Sequence, residues 1–388
     1  DRMSPVSIAA DDITVTPVRT PADRRLFLRL PWQIYDRAGP WVPPLLSDVE
    51  ELLDPRRHPF HRHGEVELFL ARRNGRVAGR IAAIQNQAHL DVHQDGAGFY
   101  GFFESVDDPH DADALLNAAE DWLRAHGLTL MRGPMNPSVN EEIGLLLDDY
   151  GGRPVIMMPY NPPYYVDLLE KSGLERVRTL YAFLADRGTR PTERQARLAG
   201  RLMESHGISI RTARIKDAER EAAVIESIYN RAWEHLWGYV PMTHEEALYL
   251  TKKLKTVADE RMILIAAVQG EPAAFTLAIP DYNQVLRHLN GRLTPLSIVK
   301  ALYYRRRITR LRLLAMGVLK EHRRKGIEAI LVREMVERAQ AAGYQEMEIS
   351  WILEDNPAAI NILKNAGVPR YRSYGIFERP LKPATERR

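Results

Sequence analysis

At 388 residues the chain exceeds one ordinary domain, and two domains of about 150–200 residues are the expectation. With 45% hydrophobic and 27% charged residues it has the composition of a globular protein that buries real cores, and the lack of cysteine excludes disulfides, thiolate nucleophiles and Cys-type zinc sites. The net charge of +3 is mild, and the longest apolar run, residues 262–268, falls far short of the roughly 20 residues that cross a bilayer.

Residues 1–12 show no basic start followed by an apolar stretch, so they read as a disordered N-terminus without a signal peptide and the chain as cytoplasmic. The pattern then predicts a strand at 13–18 and an amphipathic helix over 23–36. Residues 65–72 and 76–84 read as strands of a hairpin turned by Asn74-Gly75. A strand at 98–105 leads through an acidic segment to a helix over 111–126 stopped by Gly127, and 128–132 reads as a buried strand. A polar linker at 187–193 separates residues 13–187 from 188–388.

The second half repeats this order. A strand at 207–211 and a helix at 217–233 precede a hairpin of 262–268 and 273–279 around Gln269-Gly270. A strand at 311–319, a helix at 326–342 stopped by Gly343 and a strand at 346–353 follow. Residues 161–183 and 356–377 also match. Aligned on Gly173 and Gly367, each has Leu at −4, Arg at +3 and +5, and Phe at +10. Such a match at one place in two similarly ordered halves points to duplication.

The chemistry concentrates at residues 313–335. An apolar strand runs into Arg323-Arg324-Lys325-Gly326-Ile327 and then a long helix with Ile327, Ile330, Leu331, Met335 and Ala339 as its buried stripe. Free N–H groups at a helix start, with three cations beside them, form a site for phosphate or pyrophosphate. The strand that follows leads into Asn356-Pro357-Ala358-Ala359.

This order resembles motifs A and B of the GNAT superfamily, with Arg323 and Gly326 matching the glycine turn and Glu328 standing where the family carries a second small residue. The resemblance implies an α/β fold with mixed sheets, two tandem GNAT acyltransferase domains, and acyl-CoA as co-substrate. The cofactor's pantetheine would lie against backbone amides near Met316 and Val318, its pyrophosphate at Arg323, Arg324, Lys325, Gly326 and Ile327, with Asn356 opening motif B. Those strand amides would also stabilise the oxyanion. In the first half the equivalent turn, residues 106–113, is acidic, which implies one cofactor per chain, in the C-terminal half.

Nearly the whole chain is similar to the bacterial ceramide synthase-like family of tandem GNAT proteins. The similarity rests on residues 79–86, 101–105, 133–146, 229–241, 280–293 and 316–326. It implies transfer of a fatty acyl group from acyl-CoA to the amine of a sphingoid base such as 3-oxosphinganine. Acetyl transfer to a small amine and non-catalytic binding of acyl-CoA or lipid are the alternatives. The tyrosine that often serves the superfamily as acid is replaced by Leu363, leaving Tyr371, Tyr374 or unassisted departure of the thiolate. For the base, Asp281 and Asn283 sit beyond a strand end, His235 titrates near neutrality, and Glu141 and Glu142 could reach over from the first half. For each there is a plainer role: β-turn, packed imidazole or helix-capping carboxylate.

His58, His61 and His63 lack a carboxylate pattern, so no metal is expected. Between Leu286 and Arg312 stand eight Lys or Arg and no acid. With the aliphatic residues of 293–308 this suits peripheral contact with an anionic inner membrane or the mouth of an acyl tunnel, against a packed helix with basic flanks. No nucleic-acid module is present.

Overall fold

In this computed structural model the described residues are 13–189 and 193–381. The expected disordered N-terminus and part of the expected linker lie outside them. In chain order the first half contributes β1 (Ile13–Pro17), β2 (Gly64–Arg73), β3 (Arg76–Asn86), β4 (Ala97–Ser105) and β5 (Leu130–Gly133). The short β6 (Met135–Asn136), β7 (Glu142–Ile143) and β8 (Leu145–Leu146) follow, then β9 (Glu175–Ala185). The second half contributes β10 (Ile208–Thr212), β11 (Ile263–Val268), β12 (Glu271–Pro280), β13 (Arg310–Val318), β14 (Glu346–Leu353) and β15 (Arg370–Pro380).

The two expected hairpins form. Asn74 and Gly75 turn β2 into β3, and Gln269 and Gly270 turn β11 into β12, all four with positive φ as such tight turns require. Each half then makes a parallel step that needs a helical crossover. Helix Pro109–Ala125 carries the chain from β4 to a parallel β5, and helix Ile327–Ala341 carries it from β13 to a parallel β14.

Thirteen strands make one sheet, in the order β1-β2-β3-β4-β5-β15-β9-β14-β13-β12-β11-β10, with β8 added to β15. The centre of that order is an exchange. The last strand of the second half, β15, pairs with β5 of the first half, while β9 of the first half pairs with β14 of the second. The two exchanged strands are themselves antiparallel neighbours.

The sequence repeat lies on these exchanged elements. Gly173 and Gly367 both have positive φ and end helices (Tyr164–Lys171 and Pro357–Asn365) that lead into β9 and β15. The shared Phe at +10 crosses over in each case. Phe377 is buried in the first-half core with Leu115, Leu116 and Leu123, and Phe183 in the second-half core with Ile330, Leu331 and Met335. Arg372, also from the repeat, is buried and donates to the Asp149 carboxylate and to the Asp149 and Arg153 carbonyls of the first half.

The helix expected over 23–36 is split. It runs Pro21–Arg29, capped by the Thr20 side chain, and restarts as Pro31–Ile34, because Pro31 lacks the N–H that would continue the ladder. Helices Glu193–His206 and His244–Lys255 are additional to the expected elements.

Truncating Phe377 to Ala should cost about 3–5 kcal/mol, the usual penalty for a buried Phe. If β15 serves the first half, hydrogen exchange should accelerate in β4 and β5 as well as in β15. Loss of protection confined to β13 and β14 would contradict the exchange.

Candidate active site

The site begins where two strands part. β13 and β14 pair only from Arg310↔Glu346 to Leu313↔Ile349. A bulge at Leu314, seen as the register shift of β13 against β12, turns β13 away beyond that point. Leu319 N–H donates to the Ala273 carbonyl of β12. Alternation along an antiparallel strand then turns the N–H and C=O of Met316 and Val318 away from β12, toward the opening wedge. Their carbonyls already accept from Trp233 Nε1 (3.1 Å) and Arg323 Nε (3.3 Å). What the strand still offers to the wedge is its N–H groups.

At the end of β13 the glycine turn delivers the helix Ile327–Ala341. Gly326 is its N-cap at φ 77°, and no side chain caps it. Its positive φ favours glycine, and a Cβ there would also have to displace the end of the Leu202 side chain, 2.8 Å away at Cδ1. The corresponding first-half helix, Pro109–Ala125, is capped by the Asp108 carboxylate on His110 N–H, with Arg73 on Asp108 at 2.9 Å. One helix start carries a built-in anion, and the other leaves its N–H groups and dipole for an outside one. The second fits a pyrophosphate.

The basic residues of the turn divide their work. Arg323 donates to the Ala232 (2.6 Å) and Val318 carbonyls and meets His235 Nε2 at 3.4 Å, so its guanidinium fixes the turn to the helix Ala218–Trp233. Lys325 Nζ lies 3.1 Å from His322 Nδ1, and Arg324 is exposed. Ile327 is wholly buried, leaving its backbone as the group facing a ligand. Asn356 caps the helix Pro357–Asn365 by accepting from Ala359 N–H.

A cavity of about 500 Å³ fills the wedge and reaches between the halves. Met316, Val318, Arg323, His235, Asn356 and Glu328 line it. Its interior extends under the helices Ala218–Trp233 and His244–Lys255, where Ile225, Leu250, Leu254, Ala258, Ile263 and Leu277 form an aliphatic wall.

The first half closes the cavity with Asn140, Glu141, Ile143, Met157 and Leu180. Ser138 shapes the loop before β7, its hydroxyl accepting from Asn140 N–H and donating to Glu141. Asn140 Oδ1 accepts from Tyr229 Oη at 2.7 Å, tying the loop to the second half. Glu141 is 22% exposed at its side chain, and among the described residues no arginine or lysine pairs with it; its ion-pair neighbour is His58, at 3.9 Å. Burial holds that imidazole down to about 4, so it is neutral at pH 7 and contributes no charge. Burial accordingly pushes the Glu141 carboxyl up to about 7. Nearby, the hydrogen bond that His63 Nε2 donates to Glu246 Oε1 at 3.0 Å across the halves raises the imidazole.

The other candidate side chains fall elsewhere. Asp281 and Asn283 lie beyond β12 at the opposite end of β13 from the glycine turn. Asp281 accepts from Ile156 and Asn283 N–H, and Asn283 donates to the Pro154 carbonyl, so both clasp a first-half loop. Burial raises the Asp281 carboxyl to about 6, yet it faces a separate polar pocket. Tyr371 donates to Glu348, and Tyr374 is wholly buried; neither lines the cavity. Leu363 is buried in the second-half core. Glu142, held by Asn136, also stays outside the cavity. His58, His61 and His63 each have local partners, and among the described residues no cluster of three or more His, Cys, Asp or Glu is placed to hold a metal ion. Sequence reasoning did not single out Trp233 or Tyr229, although both stand in the segment 229–241 that carries the family similarity.

The sequence model of the acetyltransferase (GNAT) family matches residues 223–368, which span the wedge, the glycine turn and the helix after it. A tandem GNAT protein from the clavulanic acid biosynthesis pathway has the same fold, with TM-score 0.57 and 14% identity over 96% of this chain and 100% of that one. Fold and site therefore define an acyl-transferring enzyme of the GNAT class, whose members use acetyl- or acyl-CoA. Along 384 residues the chain is 34% identical to the bacterial ceramide synthase of Caulobacter vibrioides, covering 95% of this chain and 98% of that one. It is 29% identical over 367 residues to protein YghO of Escherichia coli, covering 92% and 93%. The chain belongs to the bacterial ceramide synthase-like family of tandem GNAT acyltransferases.

Glu328 provides a test of the turn. A carboxylate about 4 Å from a phosphate in water-like surroundings costs about 1 kcal/mol. Glu328→Gln should therefore tighten CoA binding about fivefold at low salt, by calorimetry, and the gain should fade at high salt. Unchanged affinity at low salt would place the pyrophosphate away from this helix start.

Proposed function

We propose that the chain transfers a long-chain fatty acyl group from acyl-CoA to the amine of a sphingoid base, 3-oxosphinganine, with release of free CoA. The observation that carries this reading is the aliphatic extension of the cavity. An acetyl group would be served by the wedge alone, whereas the space under the helices Ala218–Trp233 and His244–Lys255 suits a hydrocarbon chain. The 34% identity to a bacterial ceramide synthase supports the acceptor class. Residues 188–388 would bind acyl-CoA, residues 13–187 would shape the acceptor side, and peripheral contact with the inner membrane would bring the lipid substrate.

In this reading Glu141 is the general base, in place of Asp281, Asn283 or His235. The amine nitrogen attacks the thioester carbonyl carbon, and the Met316 and Val318 N–H groups stabilise the oxyanion. The C–S bond then breaks, CoA leaves as its thiolate, and the amine's proton passes to the Glu141 carboxylate. A carboxyl poised at about 7 is half ionised at neutral pH and strong enough as a base for this step.

Purified protein incubated with 3-oxosphinganine and a series from acetyl-CoA to long-chain acyl-CoA should give a long-chain amide by mass spectrometry. A preference for acetyl-CoA would overturn the long-chain assignment. Glu141→Gln should lower kcat about 10²–10⁴-fold with little change in acyl-CoA affinity. In the wild type kcat/KM should rise with pH through about 7, because the base acts ionised, and the variant's residual rate should lack that limb. An unchanged profile in the variant would remove Glu141 from the reaction.

A further inference from the structure

Among the described residues, the exposed large hydrophobic side chains concentrate on and beside the helix Pro295–Arg305. It is anchored on one side only. Ser297 is buried and completes a capping box with Thr294, and the Tyr304 ring stacks on His288 at 3.7 Å. At 100° per residue Ser297, Ala301 and Tyr304 share that inward face, while Leu296, Val299, Leu302 and Tyr303 share the opposite one. The outer four are more than half exposed, with Leu296 at 67% and Val299 at 63%. Leu293 and Ile298 are exposed beside them. Soluble surfaces carry single exposed aliphatic residues routinely, but a contiguous stripe of this kind marks an interaction site.

The charge around the stripe selects its occupant. Lys300 lies on one flank and Arg305 on the other, and Arg292, Arg306 and Arg307 stand at the two ends, all exposed. Arg307 also covers the Tyr303 ring at 4.1 Å. The segment between Leu286 and Arg312 contains no acid at all. An apolar stripe rimmed by cations on an 11-residue helix is too short to span a bilayer and matches a helix lying in the interface of an anionic one. A protein partner would have to bring both an apolar groove and a matching acidic rim, whereas an anionic lipid surface presents both at once.

We infer that Pro295–Arg305 docks the enzyme on anionic bilayers, with Leu296, Val299, Leu302 and Tyr303 entering the acyl boundary and the flanking Lys and Arg meeting lipid phosphates. The assignment goes beyond the acyl-transfer reaction and does not depend on the acceptor's identity, since these residues lie outside the cavity.

The test is sedimentation of the full chain with vesicles of phosphatidylglycerol and phosphatidylcholine, against phosphatidylcholine alone. The wild type should bind the anionic vesicles at least tenfold more tightly, and added salt should weaken that binding. The Leu296→Ser, Val299→Ser, Leu302→Ser triple variant should lose at least tenfold in vesicle binding. Its circular dichroism and thermal midpoint should stay near the wild type, because the three side chains face solvent. Replacing Arg305, Arg306 and Arg307 by Gln should abolish the preference for anionic lipid. Wild-type protein that stays in solution with both vesicle types would overturn the proposal. So would a triple variant that binds vesicles as well as wild type, or one whose main change is loss of a concentration-dependent dimer.

Discussion

The exchange of β9 and β15 is the constraint on which the rest of the molecule depends. A strand that leaves its neighbour must find other partners for its backbone groups, since a buried orphan is costly. β14 parts from β13 after Ile349, and what sustains it beyond that point is β9, at Ile352↔Tyr181 and Leu353↔Leu180. The wedge that forms the cavity is thus held open by a strand from the other half. β9 also carries Leu180 to the cavity wall. The first half, which lacks a basic glycine turn, is in this way part of the site's construction.

Electrostatics then separates two halves of similar topology. Both contain a crossover helix at the same place in the sheet, and one difference lies at the start of that helix. Asp108 satisfies one helix start internally, while Gly326 leaves the other uncapped. At Glu141, among the described residues, no arginine or lysine pairs the carboxylate, and the nearby His58 imidazole is held neutral by burial. A paired carboxylate at that place would be ionised well below neutrality and would be a weaker base.

Two aliphatic surfaces of the molecule lie in different surroundings. The cavity is aliphatic and lies between the halves, enclosed by helices from the second and a loop from the first. The helix Pro295–Arg305 is aliphatic and faces outward, beyond the opposite end of β13 from the glycine turn. Its basic flanks are continuous in sequence with Arg310 and Arg312, yet these two have turned inward. Arg310 pairs with Glu346, and Arg312 is buried against the Trp351 ring and the Ile156 carbonyl. One run of cations therefore serves both the surface and the junction.

Local chemistry was legible in the amino-acid order by itself. Asn74-Gly75 and Gln269-Gly270 specified hairpins because few residues tolerate positive φ, and Gly326 before an apolar-striped helix specified an anion-ready turn. The repeat around Gly173 and Gly367 announced duplication. Helix capping and strand alternation depend on near neighbours, so sequence carries them directly. What only the tertiary structure decided is which half receives each repeated element. Phe183 and Phe377 look equivalent in sequence, and nothing local says that each packs in the other half's core. Asp281 reads as well placed beyond a strand end and is in fact a clasp, while of the two carboxylates read as able to reach over, Glu141 lines the cavity with its carboxyl raised by burial and Glu142 does not line it. The reason is physical: a carboxyl's affinity for its proton is set by burial and by charges distant in sequence, and these exist only once the two halves exchange strands and close.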